Sequence, residues 1–355
     1  MTKVVPFRLL FLIAMAFMTV ALGACSDDDG GDDDVNGSAT VAPSATGAPA
    51  DRITFMAGFK HQANLPFVGV YVAQEKGFFA EENLEVTIRD VATPGDNFRF
   101  LALDEVQFTT ADAQVLLERR AGDPAIDMVS VALIGQRGQQ GFAVLTESGI
   151  ASPKDWAGKT AGYKGSQVTP DYLAFLNAEG VDRSSISEVK IGFDPSILTE
   201  KQVDIFPVFV SNEPDTLRIL GYETRVFEAA DYGAPTLGLS YVAMREYVDA
   251  NPEITQRFVR AALKGIAYAD KNPEEAIQIV LKYAPNANDA HELFTLQTEL
   301  AAAKTGEAET RGVGWQTLEQ WQMLHDFLVQ YGSLSGPLDD VSGAFTNEFV
   351  EGLGP

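Results

Sequence analysis

The 355-residue sequence has little of several residue types on which particular functions depend, above all cysteine, histidine and excess positive charge. Cysteine occurs once, as Cys25, so no disulfide can form within the chain. The three histidines, His61, His291 and His325, lack the spacing of a zinc site, and we therefore expect no metal. Lysine and arginine number 26 against 50 acidic residues, a net charge of −24, which excludes nucleic acid as a partner.

The sequence also lacks the motifs that most directly indicate catalysis or nucleotide binding. It contains no Gly-x-Ser-x-Gly nucleophile elbow and no complete P-loop. Gly135, Gly138 and Gly141 form a spaced trio without the dinucleotide-binding pattern, and we interpret them as a flexible crossover between two lobes. The sequence therefore predicts no catalytic residues, no cofactor and no enzymatic activity.

A long apolar run is missing as well, but a short one lies near the N-terminus. Lys3 and Arg8 precede the 14 residues Leu9–Leu22, which are followed by Gly23-Ala24-Cys25. The run is shorter than the ~20 residues of a membrane-spanning helix, and the order of charges, apolar core and small residues is typical of a secretory signal peptide. We expect residues 1–24 to be removed and Cys25 to be lipidated, which would anchor the protein to the cell membrane on its extracytoplasmic side. The alternative is that Cys25 is cleaved away with the signal.

Residues 25–50 consist mostly of Asp, Gly, Ser, Ala, Thr and Pro, with aspartates at 27–29 and 32–34. Such a composition has nothing to bury and predicts a disordered acidic linker. A calcium site is the alternative, but the run lacks the spaced ligands and terminal glutamate of a calcium loop.

The rest of the chain alternates strand and helix patterns, which predicts an α/β fold with helices covering the sheets. We expect a first lobe over 51–140, a second lobe over 141–236, and a return to the first lobe with C-terminal helices over 237–355. Within the second lobe, Ser166–Leu176 is predicted as a helix and Val203–Phe206 as a strand; Leu237–Met244 is the predicted returning strand. Two crossovers of this kind form a hinge and leave a ligand cleft between the lobes.

Three segments carry a resemblance to a known family. Phe67–Val86 closely resembles the opening of the NMT1/THI5-like periplasmic binding proteins, and the similarity continues through Ser152–Lys159 and Val203–Ile205. The resemblance implies a type II-like periplasmic-binding-protein fold that closes on a small ligand. It also implies an ABC permease and its ATPase as partners, to which the protein delivers its ligand.

The resemblance also bears on the ligand. Members that bind thiamine-type pyrimidines look like they carry Asn-His where this chain has Pro66 and Phe67, which counts against a pyrimidine. The sequence looks most similar to the riboflavin-binding members, and a flat isoalloxazine ring suits aromatic stacking. Riboflavin is therefore the expected transported ligand; the alternative is a thiamine-precursor pyrimidine or a related small heteroaromatic or sulfonate.

The candidate ligand-binding residues lie where strands end and helices begin, the usual binding edge of an open α/β sheet. They are Gln62, Asn64, Phe67, Thr110, Ser166, Gln167, Asn212, Glu213 and Tyr232. For each a structural role is the alternative: turn residues for Gln62, Asn64, Asn212 and Glu213, core for Phe67, helix capping for Ser166, and a hinge for Tyr232. Asp112 is interpreted as a helix N-cap.

Overall fold

The computed structural model describes residues 49–353. The predicted signal peptide of residues 1–24, the predicted lipidation site Cys25 and most of the predicted linker 25–50 lie outside the described residues. Among the helices that are described, none combines the length and the apolar character that crossing a membrane requires.

Residues 49–353 contain ten strands that form two groups. The strands are β1 Asp51–Met56, β2 Leu84–Arg89, β3 Phe108–Asp112, β4 Met128–Leu133, β5 Gln140–Leu145, β6 Thr160–Lys164, β7 Ser187–Ile191, β8 Phe206–Phe209, β9 Thr224–Glu228 and β10 Leu239–Met244.

The same part of the chain contains thirteen α-helices, which are concentrated after residue 244. The helices are α1 Leu65–Glu75, α2 Phe78–Glu81, α3 Asp96–Ala102, α4 Ala113–Arg120, α5 Pro170–Glu179, α6 Ser196–Thr199, α7 Glu213–Ile219, α8 Arg245–Ala250, α9 Pro252–Lys271, α10 Pro273–Tyr283, α11 Asp289–Ala303, α12 Ala308–Arg311 and α13 Leu318–Gln330.

The larger sheet, which we call the sheet of lobe 1, has the strand order β2-β1-β3-β10-β4. Strand β1 pairs in parallel with both β2 and β3, while β10 is antiparallel to β3 and β4. The chain therefore leaves this sheet after β4 and returns to its middle as β10. The carboxyl ends of β1 and β3 lie at one edge, where a ligand site is expected.

The segment between β4 and β10 forms lobe 2, with a sheet of order β8-β5-β9 and a parallel pair β6-β7. Its core is aromatic: Phe142 contacts Trp156, Tyr172 and Phe175 with ring centroids 5.3–5.8 Å apart. Such pairs bury large apolar areas in specific edge-on geometries. This cluster holds α5 against β5.

The two crossovers between the lobes lie side by side. The Gly238 N–H donates to the Gly135 carbonyl at 2.7 Å, and the Gly138 N–H donates to the Thr236 carbonyl at 3.0 Å. A Cβ placed on Gly135 would lie 2.8 Å from the Gly238 Cα. Besides the predicted flexibility of these glycines, there is a steric reason for glycine at position 135: a side chain there would push the two crossovers apart.

Helix α1 is buried along nearly its whole length, since it packs against helices α9, α10 and α11 and against the sheet of lobe 1. A Cβ on Gly265 would lie 2.0 Å from the Gly69 carbonyl oxygen, so the two helices approach at paired glycines. Beneath α9, Phe258 stacks on Phe108 with centroids 4.0 Å apart. These contacts fix the N-terminus of α1 at the edge of the sheet.

Two predicted elements are shifted in the structure. The helix expected over Ser166–Leu176 begins instead at Pro170, because Gly165 has a φ of +107° and Pro170 occupies the first turn. The strand expected over Val203–Phe206 pairs with β5 only from Phe206 to Phe209. Val203 and Ile205 continue the apolar alternation of the strand, and Ser166 is a possible helix cap, so neither sequence signal marks the true boundary.

Candidate functional site

A cavity of about 260 Å³ lies between the lobes, at the carboxyl ends of β1 and β3. Both lobes line it, so its shape depends on their arrangement. Its lining residues are Gly58, Phe59, Gln62, Asn64, Phe67, Phe98, Thr110, Ala111, Asp112, Val115, Lys164, Phe193, Phe209, Asn212, Glu213 and Leu239.

Five phenylalanine rings make the cavity walls: Phe59, Phe67, Phe98, Phe193 and Phe209. Phe59 of lobe 1 and Phe193 of lobe 2 face each other across the mouth, with ring centroids 6.2 Å apart. Phe193 is 58% exposed, whereas Phe67 is only 1% exposed. The predicted stacking role and the alternative core role of Phe67 therefore coexist, because the ring is buried and still faces the cavity.

Lobe 1 contributes polar groups from the end of β3. The Gly58 N–H donates to Thr110 Oγ1 at 2.9 Å, and a Cβ on Gly58 would lie 2.7 Å from the Thr110 carbonyl oxygen. Asp112 stands at the N-cap position of α4, but its side chain makes no capping bond. Gln140 Nε2 is 3.4 Å from its Oδ1, and burial raises the pKa of Asp112 to about 7. The carboxyl is thus available to a ligand rather than used as the predicted cap.

Gln62 and Asn64 lie together in the loop before α1. Gln62 Nε2 donates to Asn64 Oδ1, and Asn64 Nδ2 donates to Glu299, so both ends of the Asn64 amide have a protein partner. Glu299 also accepts from the Leu65 N–H at 2.6 Å. Because Asn64 is occupied in this way, Gln62 is the better placed of the two to bond a ligand, and Asn64 orients it.

Lobe 2 contributes an ion pair that faces the cavity. Lys164 Nζ donates to Glu213 Oε1 at 2.6 Å, and Glu213 Oε2 accepts from the Phe209 N–H at 2.7 Å. The Lys164 ammonium also lies 4.7 Å from the centre of the Phe206 ring. The carboxylate is thus held at both oxygens, while the ammonium keeps further N–H groups for another acceptor.

Helix α11 joins the two lobes behind the cavity. Ser211 Oγ of lobe 2 donates to Glu299 at 3.2 Å, and Thr295 Oγ1 donates to the Ser211 carbonyl at 2.7 Å. His291 contacts Asp215 through Nδ1 at 2.8 Å and Asn212 through Nε2 at 3.0 Å. Asn212, a predicted site residue, therefore lines the cavity with its side chain oriented from α11.

Glu299 of α11 is a buried acid, with 7% of its surface exposed. Burial raises its pKa to about 7, although hydrogen bonds from Leu65, Asn64 and Ser211 act in the opposite direction. Burial likewise raises the pKa of Glu292, which accepts from the Ala63 N–H. These two acids order the loop that carries Gln62.

The structure brings six of the nine predicted residues to the cavity and leaves three outside it. Ser166 and Gln167 are exposed in the loop before α5, because the helix begins four residues later than predicted. Tyr232 packs on Phe175 in the core of lobe 2, with centroids 4.4 Å apart. The predicted ligand role of these three is therefore not supported by their positions.

Several lining residues were not predicted from the sequence. Phe59 and Phe193 reach the cavity from loops, Phe98 from α3 and Lys164 from the end of β6, and none of them belongs to a recognisable motif. The available signal for Phe59 and Phe193 was a large aromatic residue in a loop, since binding residues lie disproportionately on loops.

The lining of the cavity is aromatic, with a few polar side chains among the rings. The lining residues include no serine, cysteine or histidine that could form a nucleophile and base pair. Within residues 49–353, no group of three or more His, Cys, Asp or Glu side chains is placed to hold a metal ion. Aromatic faces with a few donors and acceptors are the usual lining of a small-molecule pocket.

The chain matches a known protein family and is similar to several known proteins. The family described as NMT1/THI5 like matches residues 64–276. The riboflavin-binding protein RibY of Chloroflexus aurantiacus is 32% identical over 326 residues, which cover 88% of this chain and 91% of that protein. The formylaminopyrimidine-binding protein of Halalkalibacterium halodurans is 27% identical over 74% of this chain and 82% of its own length. A 4-amino-5-hydroxymethyl-2-methylpyrimidine phosphate synthase of Legionella pneumophila is similar over a smaller part, at 29% identity over 61% of this chain and 69% of its own length.

Solved structures confirm the predicted fold class. The periplasmic aliphatic sulphonate binding protein SsuA of Escherichia coli superposes with a TM-score of 0.63 over 84% of this chain and 92% of its own. The sequence identity is 15%, so this likeness concerns the fold alone. The two lobes with their paired crossovers therefore have the periplasmic-binding-protein fold.

Proposed function

The chain belongs to the NMT1/THI5-like family, and from this premise we propose that it captures riboflavin outside the cytoplasm and delivers it to an ABC-type import permease. Its relatives indicate a solute-binding protein of such an import system. The identity of the solute is the finer part of the proposal. It is supported by the aromatic cavity between the lobes.

The observation that carries the proposal is the set of five phenylalanines around one narrow space. A flat tricyclic ring gains both dispersion and desolvation when aromatic faces cover it. The polar groups at the cavity rim match the ring's pyrimidine-dione edge, since Lys164 offers N–H donors and Asp112 offers an acceptor for an imide N–H. The Gln62 amide can either donate to a ring carbonyl or accept from the imide N–H.

A thiamine-precursor pyrimidine remains the second candidate ligand because a formylaminopyrimidine-binding protein is among the relatives. The small ring would leave much of the aromatic wall uncovered, and Phe67 stands where the pyrimidine-binding members look like they carry histidine. No histidine is among the residues that line the cavity, so no imidazole takes the place of the missing one there.

The proposal assigns no enzymatic activity to the chain. The synthases among the relatives are matched over a smaller part of their length than the two binding proteins. A self-sacrificing synthase would need its own histidine and a cysteine-rich motif, whereas this sequence has Phe67 at the histidine position and no cysteine after Cys25. The described cavity also lacks a nucleophile with an adjacent base.

We test the ligand with the chain from residue 25 onward carrying Cys25→Ser, which removes the expected lipid. Riboflavin fluorescence is titrated with this protein, and formylaminopyrimidine is added as a competitor. Saturable quenching that the pyrimidine does not reverse supports the proposal. Absence of quenching, together with a higher melting temperature in the pyrimidine, would transfer the function to the second candidate.

The proposal includes a lipid anchor at Cys25, on the outer side of the cell membrane. Its basis is the sequence pattern Leu22-Gly23-Ala24-Cys25 alone. Cys25→Ser in the full chain should move the protein from the membrane fraction to the soluble extracytoplasmic fraction. Continued membrane association of the Cys25→Ser protein would show that another segment holds it there.

A further inference from the structure

A second chamber of about 190 Å³ adjoins the aromatic cavity. The two spaces share Asp112, Val115, Lys164 and Phe209 as lining residues. From these residues the second chamber extends along β5, β6 and β8 to the first turn of α5. A substituent on a ring that occupies the aromatic cavity therefore meets the second chamber at this shared boundary.

The lining of the second chamber has two phenylalanines where the aromatic cavity has five, and several polar side chains. Amide, hydroxyl and carboxyl side chains face it, from Gln114, Gln140, Tyr163, Thr169 and Asp171. Gln114 uses its Nε2 to donate to Glu118 at 2.8 Å, and its carbonyl oxygen remains available as an acceptor. A chain of hydroxyl groups suits such a lining, because each hydroxyl both donates and accepts.

The charges of the second chamber favour a neutral occupant. Lys164 is the one cation among the described residues that line it, and Glu213 already pairs with that ammonium. Two acids, Asp112 and Asp171, also line the space, and Asp171 is only 6% exposed. A phosphate or sulfonate would lie beside these acids without an unpaired cation to neutralise it.

We propose that the second chamber is a subsite for a neutral, hydroxylated chain attached to the ring in the aromatic cavity. The proposal rests on the proposed function, in which that chain is the ribityl group of riboflavin. Asp171 and Gln114 accept hydrogen bonds from the chain hydroxyls. The Thr169 hydroxyl bonds the chain hydroxyl that lies nearest the start of α5. The subsite thus distinguishes riboflavin from its phosphorylated form and from the bare ring.

The test compares three flavins that carry the same ring. Riboflavin has the hydroxylated chain, lumiflavin has a methyl group in its place, and flavin mononucleotide adds a phosphate to the chain end. Their dissociation constants are measured by fluorescence quenching with the chain from residue 25 carrying Cys25→Ser. Since two or more hydrogen bonds are at stake, riboflavin should bind at least tenfold more tightly than lumiflavin. It should also bind at least tenfold more tightly than the phosphorylated flavin.

Two substitutions then locate the effect. Gln114→Leu and Asp171→Asn should each weaken riboflavin binding about three- to tenfold and leave lumiflavin binding within twofold. Glu200→Gln, at an exposed acid of lobe 2 outside both chambers, is the matched control and should change neither ligand. The melting temperature of each ligand-free variant shows whether it is folded. If Asp171→Asn does not fold, Gln114→Leu alone still tests the subsite.

The outcomes separate the subsite from the function. Equal affinity for lumiflavin and riboflavin would overturn the subsite and leave the flavin-binding function intact. Equal loss of both ligands in Gln114→Leu would also overturn it, since a general distortion of the cleft would then explain the effect. Failure of every flavin to bind would overturn the function and the subsite together.

Discussion

Replacing Phe193 with alanine should weaken ligand binding strongly while leaving the ligand-free protein almost as stable as before. Phe193 is 58% exposed and faces Phe59 across the cavity mouth. An aromatic side chain offers about 150–250 Å², so roughly 90–140 Å² of Phe193 remains to be covered. At about 25 cal/mol per Å² this is worth about 2–3.5 kcal/mol, and roughly half of it if the ligand covers one face. If the ligand covers one face, affinity should therefore fall about five- to twentyfold.

The assay is riboflavin fluorescence quenching, combined with urea unfolding of the ligand-free protein. Leu220→Ala is the matched control, since Leu220 is 59% exposed in the same lobe and does not line the cavity. Both substitutions should change the free energy of unfolding by less than about 1 kcal/mol. The reasoning is refuted if Phe193→Ala binds riboflavin within twofold of the unsubstituted chain, or if Leu220→Ala loses as much affinity.

Three further predictions concern the core and the buried acids. Phe67→Ala should lower the free energy of unfolding by about 3–5 kcal/mol in addition to weakening binding, because the ring belongs both to the core and to the cavity wall. A loss of less than about 1 kcal/mol in urea unfolding would contradict the core role. Gly265→Ala should cost about 1–3 kcal/mol, since its Cβ would meet the Gly69 carbonyl at 2.0 Å, whereas Gly192→Ala, with open space around it, should be nearly neutral by thermal unfolding. Burial raises the pKa of Glu299 to about 7, so the native state binds more protons than the unfolded state between about pH 4.5 and 7, and its stability contribution falls as the pH rises through that window. Glu299→Gln should flatten this fall in urea unfolding at pH 5 and pH 7.5, and an unchanged slope would show that Glu299 is not its source.

The elements that follow a local pattern could be predicted from the sequence. The alternation of Ile53 and Phe55 gave β1, and Pro66 marked the start of α1, because both signals lie within the element itself. The return of the chain as β10 was predicted from an apolar run, and it does pair between β3 and β4. The boundary of α5 was wrong because Ser166 can cap a helix in principle, while the positive φ of Gly165 is invisible in the sequence.

The candidate site was predicted only where a strand end or a motif pointed to it. Thr110 and Glu213 were found in this way, at the end of β3 and at the start of α7. Lys164 and Phe193 were missed because their neighbours in space, Glu213 and Phe59, are 49 and 134 residues away in the chain. Their roles depend on how two lobes meet, and no local periodicity encodes that meeting.

Helix α11 shows why a binding cleft can depend on residues that never reach its ligand. Its Glu299 bonds the amide of Asn64 and the hydroxyl of Ser211, which come from different lobes. Its His291 bonds Asn212 on the far wall of the cavity. Because Asn64 and Asn212 both line the cavity, their side-chain directions are set from one helix. The polar wall of the cleft is therefore organised in part by α11, a helix whose own side chains do not line the cavity.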